Sequence, residues 1–426
     1  MSSTTRPRGT IVVTGSELVR GDRTDLNGPF LAGELLRLGI EPARIEIVGD
    51  RADELEAALR DGLRADLCVV SGGLGPTHDD RTVELVARAA DVELHVDEGL
   101  REQIGAISRG FAERLGRPYT DFEPGVRKQA TIPDGALNLG LAGTAPGLVL
   151  ESGECAVVVL PGPPPELQRL WPRALETEPV RRVLARALPP ERRLLRFFGA
   201  SESAVAKALA DAGGDGNGVE ATICARDFEI HVDLIVEPGA EARADDLEER
   251  LAAPLERQLF ARDDRPVAEI VLEDCRARGL TLATAESCTG GMVAERITAA
   301  PGSSDVFVGA VVAYSNDVIE RDLGVPADVL AKHGAVSAET AAAMAAGARD
   351  RLRADLALAV TGIAGPDGGT EEKPVGLVYL HVEGPDGGRG VDFLFPGDRG
   401  SIRRRATVTG LHLVRRFLTQ SRDKHV

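Results

Sequence analysis

Ser71-Gly72-Gly73-Leu74-Gly75-Pro76-Thr77-His78-Asp79-Asp80 places a glycine-rich turn directly ahead of two adjacent carboxylates. Glycines at 72, 73 and 75 let consecutive backbone amides approach an anion without a Cβ in the way. Helix capping accounts for one of the acids, at about 1 kcal/mol, and leaves the other without a role. Amides for a phosphate and acids for Mg2+ account for both, because Mg2+ commonly takes one or two carboxylates and the phosphate oxygens of its substrate. Asp25 and Asn27, at the first strand-to-helix turn, fall at the same sheet edge, where they also read as turn and cap residues.

A second constellation, Ala285-Glu286-Ser287-Cys288-Thr289-Gly290-Gly291, sets a serine between an apolar run and a helix that starts at the glycine pair. Such a serine can attack an acyl carbon, with helix N-terminal amides positioned for the oxyanion. Equally, Ser287 or Thr289 caps the helix. Cys288 is a competing nucleophile that also suits simple packing. Further on, Thr361-Gly362-Ile363-Ala364-Gly365-Pro366-Asp367-Gly368-Gly369-Thr370 precedes Lys373-Pro374-Val375-Gly376 and reads as an active-site or nucleotide-binding loop, or as a structural turn. It has neither the lysine placement of a Walker A loop nor the spacing of a dinucleotide fingerprint, so neither ATP hydrolysis nor NAD redox chemistry follows.

These turns need strands to deliver them. Short β-branched runs alternate with amphipathic segments, the pattern of parallel sheets covered by helices on both faces. Ile11 to Thr14, Ile45 to Val48, Leu67 to Val70 and Ala156 to Leu160 read as strands, with helices at Asn27 to Leu38, Asp53 to Leu63 and Arg81 to Ala90. This is the order of a doubly wound sheet, whose ligands sit beyond the carboxyl ends of the strands. Leu194 to Gly199, a helix from Glu202 to Ala212 and Glu229 to Val236 suggest a small α+β segment, followed by a charged, mostly helical stretch to Pro266. The last third is again α/β: strands at Thr281 to Ala285, Val306 to Tyr314, Leu356 to Thr361 and Val375 to Val382, helices at Gly290 to Ala299, Ala338 to Leu352 and Ser401 to Leu418. Borders near 175 and 265 divide the chain into 1–175, 176–265 and 266–426.

At roughly 150 residues per domain, 426 residues suit about three domains, each with its own core. A net charge of −17 opposes non-specific attachment to nucleic acid or anionic membrane, so a phosphate-bearing ligand needs local amides, an arginine or a cation. Cys68, Cys155, Cys224, Cys275 and Cys288 form no CxxC pair and no Cys/His cluster, which argues against a zinc site or a disulfide framework and for the cytoplasm. No signal peptide and no apolar run of membrane-spanning length is read.

Taken together, the motifs resemble those of the CinA (competence/damage-inducible) family over nearly the whole chain. The N-terminal third resembles its molybdopterin-binding-like domain through Thr14-Gly15-Ser16-Glu17-Leu18, Ser71 to Asp80, Arg127-Lys128-Gln129-Ala130, Gly143-Thr144-Ala145-Pro146-Gly147 and Leu160-Pro161-Gly162. The C-terminal part is similar to its nicotinamide-nucleotide amidohydrolase domain through Ala285 to Gly291, Tyr314-Ser315-Asn316, His333 to Ser337, Thr361 to Gly376 and Gly397-Asp398-Arg399. The resemblance implies a doubly wound N-terminal sheet acting as an ADP-ribose pyrophosphatase, a small KH-like α+β middle domain, and a C-terminal α/β deamidase converting nicotinamide mononucleotide to nicotinate mononucleotide and ammonia. It also implies a homodimer.

On the same resemblance, Asp25, Asp79 and Asp80 are metal-site candidates for a divalent cation, Mg2+ first, with Asn27, Gly72, Gly73, Gly75 and Thr77 on the substrate. The C-terminal site needs no cofactor. Ser287 is its nucleophile or water-positioning hydroxyl, Tyr314 and Lys373 are its catalytic partners, and Thr289, Gly290, Gly291, Gly362, Gly365, Arg399 and Arg403 surround the nucleotide. The sequence departs from the family at Ile319, where a lysine is usual as the serine's base, and at Ser16 and Leu26, which replace threonines. A pyrophosphatase with a nucleotide-sensing C-terminal domain, or a non-enzymatic protein linked to DNA uptake or damage, are the alternatives. Against the latter stand the acidic charge and the lack of a basic-flanked GXXG between 194 and 236.

Overall fold

Ile11-Val12-Val13, Cys68-Val69-Val70 and Val157-Val158-Val159 are apolar on both faces, as strands must be when helices cover a parallel sheet from two sides. A computed structural model, which describes residues 6–420, places them in Arg8–Thr14, Leu67–Ser71 and Cys155–Leu160, adjacent parallel strands at the centre of a six-stranded sheet. Glu41–Val48 joins in parallel on one side, while Pro146–Ser152 and Leu137–Leu141 add antiparallel strands on the other. Strand alternation divides the apolar residues between two cores: Val12, Val70 and Val157 enter one, and Ile11, Val69 and Val158 enter the other with Trp171.

The chain forms two compact units, Met1–Glu191 with Glu237–Gly239, and Arg192–Val236 with Ala240–Val426. The first border therefore lies beyond the expected 175. Helix Glu178–Leu184 explains the difference, since Val180 and Val183 bury in the same core as Trp171.

In the second unit, Leu282–Glu286 and Leu356–Gly362 alternate large and small residues. Leu282, Leu356, Leu358 and Val360 fill one core, while Ala283, Ala285, Ala357 and Ala359 line the other. The shallow alanine face admits the alanine-rich helix Ala338–Leu352 at close range through Met344, Ala345 and Ala348. The five-stranded sheet runs Phe307–Val312, Leu282–Glu286, Leu356–Gly362, Leu377–Gly384, Gly387–Leu394, the first three parallel and the last two antiparallel. A four-stranded sheet of Val219–Arg226, Glu229–Val236, Glu191–Phe197 and Leu259–Ala261, with helices Glu202–Asp211 and Glu241–Ala252, has its own core. The stretch expected to be mostly helical thus also contributes a short strand. No helix among the described residues is long and apolar enough to cross a membrane.

His412 of the C-terminal helix Arg399–Gln420 is fully buried, stacked on Phe198 at 3.8 Å and edge-on to Phe260. Its Nε2 lies 2.8 Å from Glu229 Oε1, and Arg415 Nε donates to its Nδ1 at 3.4 Å, which together specify a neutral ring with the proton on Nε2. Burial pushes the imidazole down to about 4. The unfolded ring, near 6.5, takes up a proton that the folded ring refuses, so stability falls as pH drops from about 6.5 towards about 4. Urea unfolding of the full chain is expected to lose about 2 kcal/mol between pH 7 and pH 5 through this group. A His412→Gln chain, which keeps a donor for Glu229 but has no titration there, should show a shallower pH dependence; an unchanged slope would refute the assignment.

Candidate functional site

At the first turn, Ser71 ends a central strand and the chain reverses through Gly72 and Gly73, with φ of 103° and 64°. A Cβ at Gly72 would lie 2.4 Å from the Thr14 carbonyl oxygen, and one at Gly73 would lie 2.2 Å from Thr82 Oγ1, so the backbone course requires glycine twice over. The following helix begins at Thr82, which leaves Asp79 and Asp80 in the turn. Both converge on Thr77, whose hydroxyl is 2.5 Å from Asp80 Oδ2 and also bonds Asp79 Oδ1. The Thr77 hydroxyl holds the Asp79 carboxyl below its ordinary range. The Thr77 amide donates to Asp80 at 3.0 Å.

Helix Glu123–Gln129 lies along this loop. Lys128 donates to the Thr77 carbonyl and the buried Gln129 to that of Leu74 at 3.0 Å. Gly73, Gly75, Asp80, Lys128 and Gln129 line a cavity of about 310 Å³. The Thr82 hydroxyl is buried without a hydrogen-bond partner. The sequence points to Lys128 and Gln129 only through the Arg127-Lys128-Gln129-Ala130 motif, and carries no comparable signal for Thr82.

Asp25 takes a different place. Its carboxylate accepts from the Asn27 amide at 2.9 Å and the Gly28 amide at 3.1 Å, at the start of helix Asn27–Arg37. Asn27 Nδ2 donates to Ser71 Oγ at 2.9 Å and Gly162 O at 2.7 Å, while its buried Oδ1 has no partner. Asp25, Asn27 and Ser71 line a second cavity of about 420 Å³. Among the described residues no group of three or more His, Cys, Asp and Glu side chains is placed to hold a metal ion. The expected set of Asp25, Asp79 and Asp80 is thus reduced to a pair. Asp79 and Asp80 fit a divalent cation in one respect: both lean on a hydroxyl with a single proton to give, so one contact lacks a hydrogen.

In the second unit, Ser287 follows strand Leu282–Glu286, its amide bonded to Val360 O at 2.9 Å. Its partly exposed hydroxyl makes no hydrogen bond among the described residues. The fully buried Glu286 carboxylate accepts from the amides of Gly291 at 2.9 Å, Val293 at 3.1 Å and Ala294 at 2.8 Å, holding the start of helix Met292–Thr298. Gly290 donates to Ser287 O and Met292 to Thr289 O. The helix-start amides expected to face an oxyanion are therefore already engaged. Cys288 and Thr289, whose amides donate to no other residue among the described residues, are the donors left beside the serine.

Arg403 fixes the same turn by donating to Cys288 O at 3.1 Å and Thr289 O at 2.6 Å, so it clamps backbone. Thr289 is fully buried with its hydroxyl unpartnered. Arg399 donates to Gly365 O and to the Tyr314 hydroxyl, each at 2.7 Å, joining the glycine loop after Gly362 to the exposed tyrosine. Lys373 differs from expectation: its ammonium donates to His333 O and Val336 O, both at 2.7 Å, and secures a loop. Ile319 is 1% exposed, in the core with Ala285 and Leu323. Burial lifts the Cys288 thiol to about 12, which removes it as a nucleophile near neutral pH.

Two α/β units, each with a glycine turn at the carboxyl end of parallel strands, define the class of protein. Residues 10–179 match the probable molybdopterin binding domain and residues 264–418 match the CinA C-terminal domain. A CinA-like protein of Mycolicibacterium paratuberculosis is 44% identical over 432 residues, covering 97% of this chain and 99% of its own. One from Mycobacterium tuberculosis is 44% identical over 425 residues, covering 97% of each. The chain belongs to the CinA family. Among solved structures, the competence/damage inducible protein CihA from Agrobacterium tumefaciens is 42% identical over 36% of this chain and 93% of its own, with a TM-score of 0.35.

Proposed function

We propose that this chain is a pyridine-nucleotide hydrolase whose second unit cleaves the carboxamide of nicotinamide mononucleotide. The observation that carries this reading is the unbonded Ser287 hydroxyl beside the two unengaged amides of Cys288 and Thr289, in a turn clamped by Glu286 and Arg403. Ser287 Oγ attacks the amide carbon, and the oxyanion faces the Cys288 and Thr289 amides. Ammonia leaves as the C–N bond breaks, and water then cleaves the resulting ester to give the carboxylate and restore the serine. Arg399, Tyr314 and Gly365 form a polar rim suited to a phosphorylated ribose. The Ser287 proton passes to the departing nitrogen, and the Tyr314 hydroxyl is the relay to test, taking that proton as it gives its own to the nitrogen, because Lys373 is committed to carbonyls and Ile319 is apolar. The direct experiment measures ammonia release from nicotinamide mononucleotide by the full chain.

One observation favours a second reading, in which this unit binds the nucleotide without turning it over. The position of the family's lysine is a buried isoleucine, and no side-chain base is hydrogen-bonded to Ser287 among the described residues. Binding without ammonia release would decide for it.

For the first unit we propose hydrolysis of a nucleotide pyrophosphate such as ADP-ribose. Asp79 and Asp80 would hold a divalent cation, which when bound supplies positive charge to the pyrophosphate oxygens. The glycine turn and Lys128 receive the phosphate. Asp80→Asn, which keeps an acceptor for the Thr77 amide, is expected to lower Mg2+-dependent ADP-ribose hydrolysis by at least about tenfold with the fold retained. Full activity in that variant would remove Asp80 from the site.

A further inference from the structure

The turn between Val219–Arg226 and Glu229–Val236 is a two-residue hairpin, since Arg226 pairs with Glu229. Its tip residues, Asp227 and Phe228, both take left-handed φ, 51° and 66°. Turns of this kind favour Asp-Gly or Asn-Gly, so Phe228 sits where glycine would be easier. What phenylalanine adds is contact. Its ring lies 4.0 Å from the guanidinium carbon of Arg405, whose buried Nε has no hydrogen-bond partner. Asp227 pairs with Arg296 at 3.0 Å, and Glu229 bonds His412 at 2.8 Å. Three consecutive residues therefore hold two helices, Met292–Thr298 and Arg399–Gln420.

These are the helices that frame the Ser287 turn. The first begins at the amides held by Glu286, and the second carries Arg403, the clamp on Cys288 and Thr289. Residues two apart on a helix project about 200° apart, so Arg405 and Arg403 leave the C-terminal helix on opposite sides. One side meets the hairpin tip and the other the serine turn.

We infer that the tip Asp227-Phe228-Glu229 is a positioning device for the Ser287 turn, pressing the C-terminal helix and its Arg403 clamp into place. Phe228 and Asp227 act through Arg405 and Arg296 without touching substrate. The catalytic consequence rests on the amide-hydrolase reading; the mechanical one does not.

Phe228→Gly suits the turn and removes the ring, Phe228→Tyr keeps the ring, and Asp227→Gly breaks the ion pair while tolerating the left-handed turn. Hydrogen exchange across residues 287–294 and steady-state ammonia release from nicotinamide mononucleotide are measured on the full chain. In Phe228→Gly, exchange there should accelerate about five- to tenfold and kcat fall by a similar factor, with KM changed by less than about twofold and the unfolding midpoint kept or raised. Phe228→Tyr should match the parent, and Asp227→Gly should shift in the same direction as Phe228→Gly. Parent-like exchange at 287–294 in both Phe228→Gly and Asp227→Gly overturns the inference; should Phe228→Gly not fold, Asp227→Gly alone decides. A parent that releases no ammonia defeats the amide-hydrolase reading only, and the exchange arm still rules on the hairpin.

Discussion

Ser287→Ala is expected to lower ammonia release from nicotinamide mononucleotide by at least about a thousandfold while leaving the fold and nucleotide binding in place. Removing the nucleophile of a serine hydrolase leaves only what the oxyanion donors and substrate binding supply, commonly four to six orders of magnitude below the parent, hence the conservative bound of about 10³. Stability should barely move, because the hydroxyl makes no hydrogen bond among the described residues and the Ser287 contribution to the sheet is its amide on Val360 O. A loss of kcat with an unchanged unfolding midpoint and an unchanged Kd for the nucleotide therefore assigns the hydroxyl to chemistry. Retained ammonia release in the alanine variant would move the nucleophile to water. A parent that binds without releasing ammonia would instead select the sensing reading that buried Ile319 favours.

The parallel cores were legible because their strands declare themselves. Val157-Val158-Val159 and Leu356 to Val360 are apolar on both faces, and little else in a soluble chain is. Edge strands do not share that property: Gly387–Leu394 is exposed along nearly its whole length and shows no apolar alternation to find. The glycine turns were legible for a similarly local reason. The partners of the charged side chains were not. Arg403 reaches Cys288 O across 115 residues and Lys373 reaches His333 O across 40, and in both cases the cation chose backbone carbonyls that have no sequence signature. Asp25 shows the opposite case, since capping within two or three residues was readable and is what the carboxylate does. Glu286 was read only as part of a motif, although its carboxylate decides which amides remain for catalysis.

Glu286→Ala is accordingly expected to destabilise the second unit by about 4 kcal/mol and to abolish ammonia release. Three amides, those of Gly291, Val293 and Ala294, lose a buried charged acceptor at the helix start. Hydrogen bonds to a charged group contribute about 1.5–3 kcal/mol each, and the helix dipole adds to them, while the carboxylate's own desolvation cost is removed by the mutation and reduces the sum. Glu286→Gln retains one acceptor oxygen and the side-chain volume, so it should lose about half as much. The two variants separate the acceptor role of Glu286 from a merely space-filling one, because glutamine keeps the volume and loses part of the hold on the three amides. With Glu286 gone, the Gly291 amide is released to compete with Cys288 and Thr289 for an oxyanion, and the turn gains alternatives it does not have in the parent. Hydrogen exchange at Gly291, Val293 and Ala294 should rise in Glu286→Ala well before global unfolding, and in Glu286→Gln at fewer than the three. Equal protection of all three amides in the parent and the alanine variant would mean that the helix start is held by its own fold and that the carboxylate serves something else.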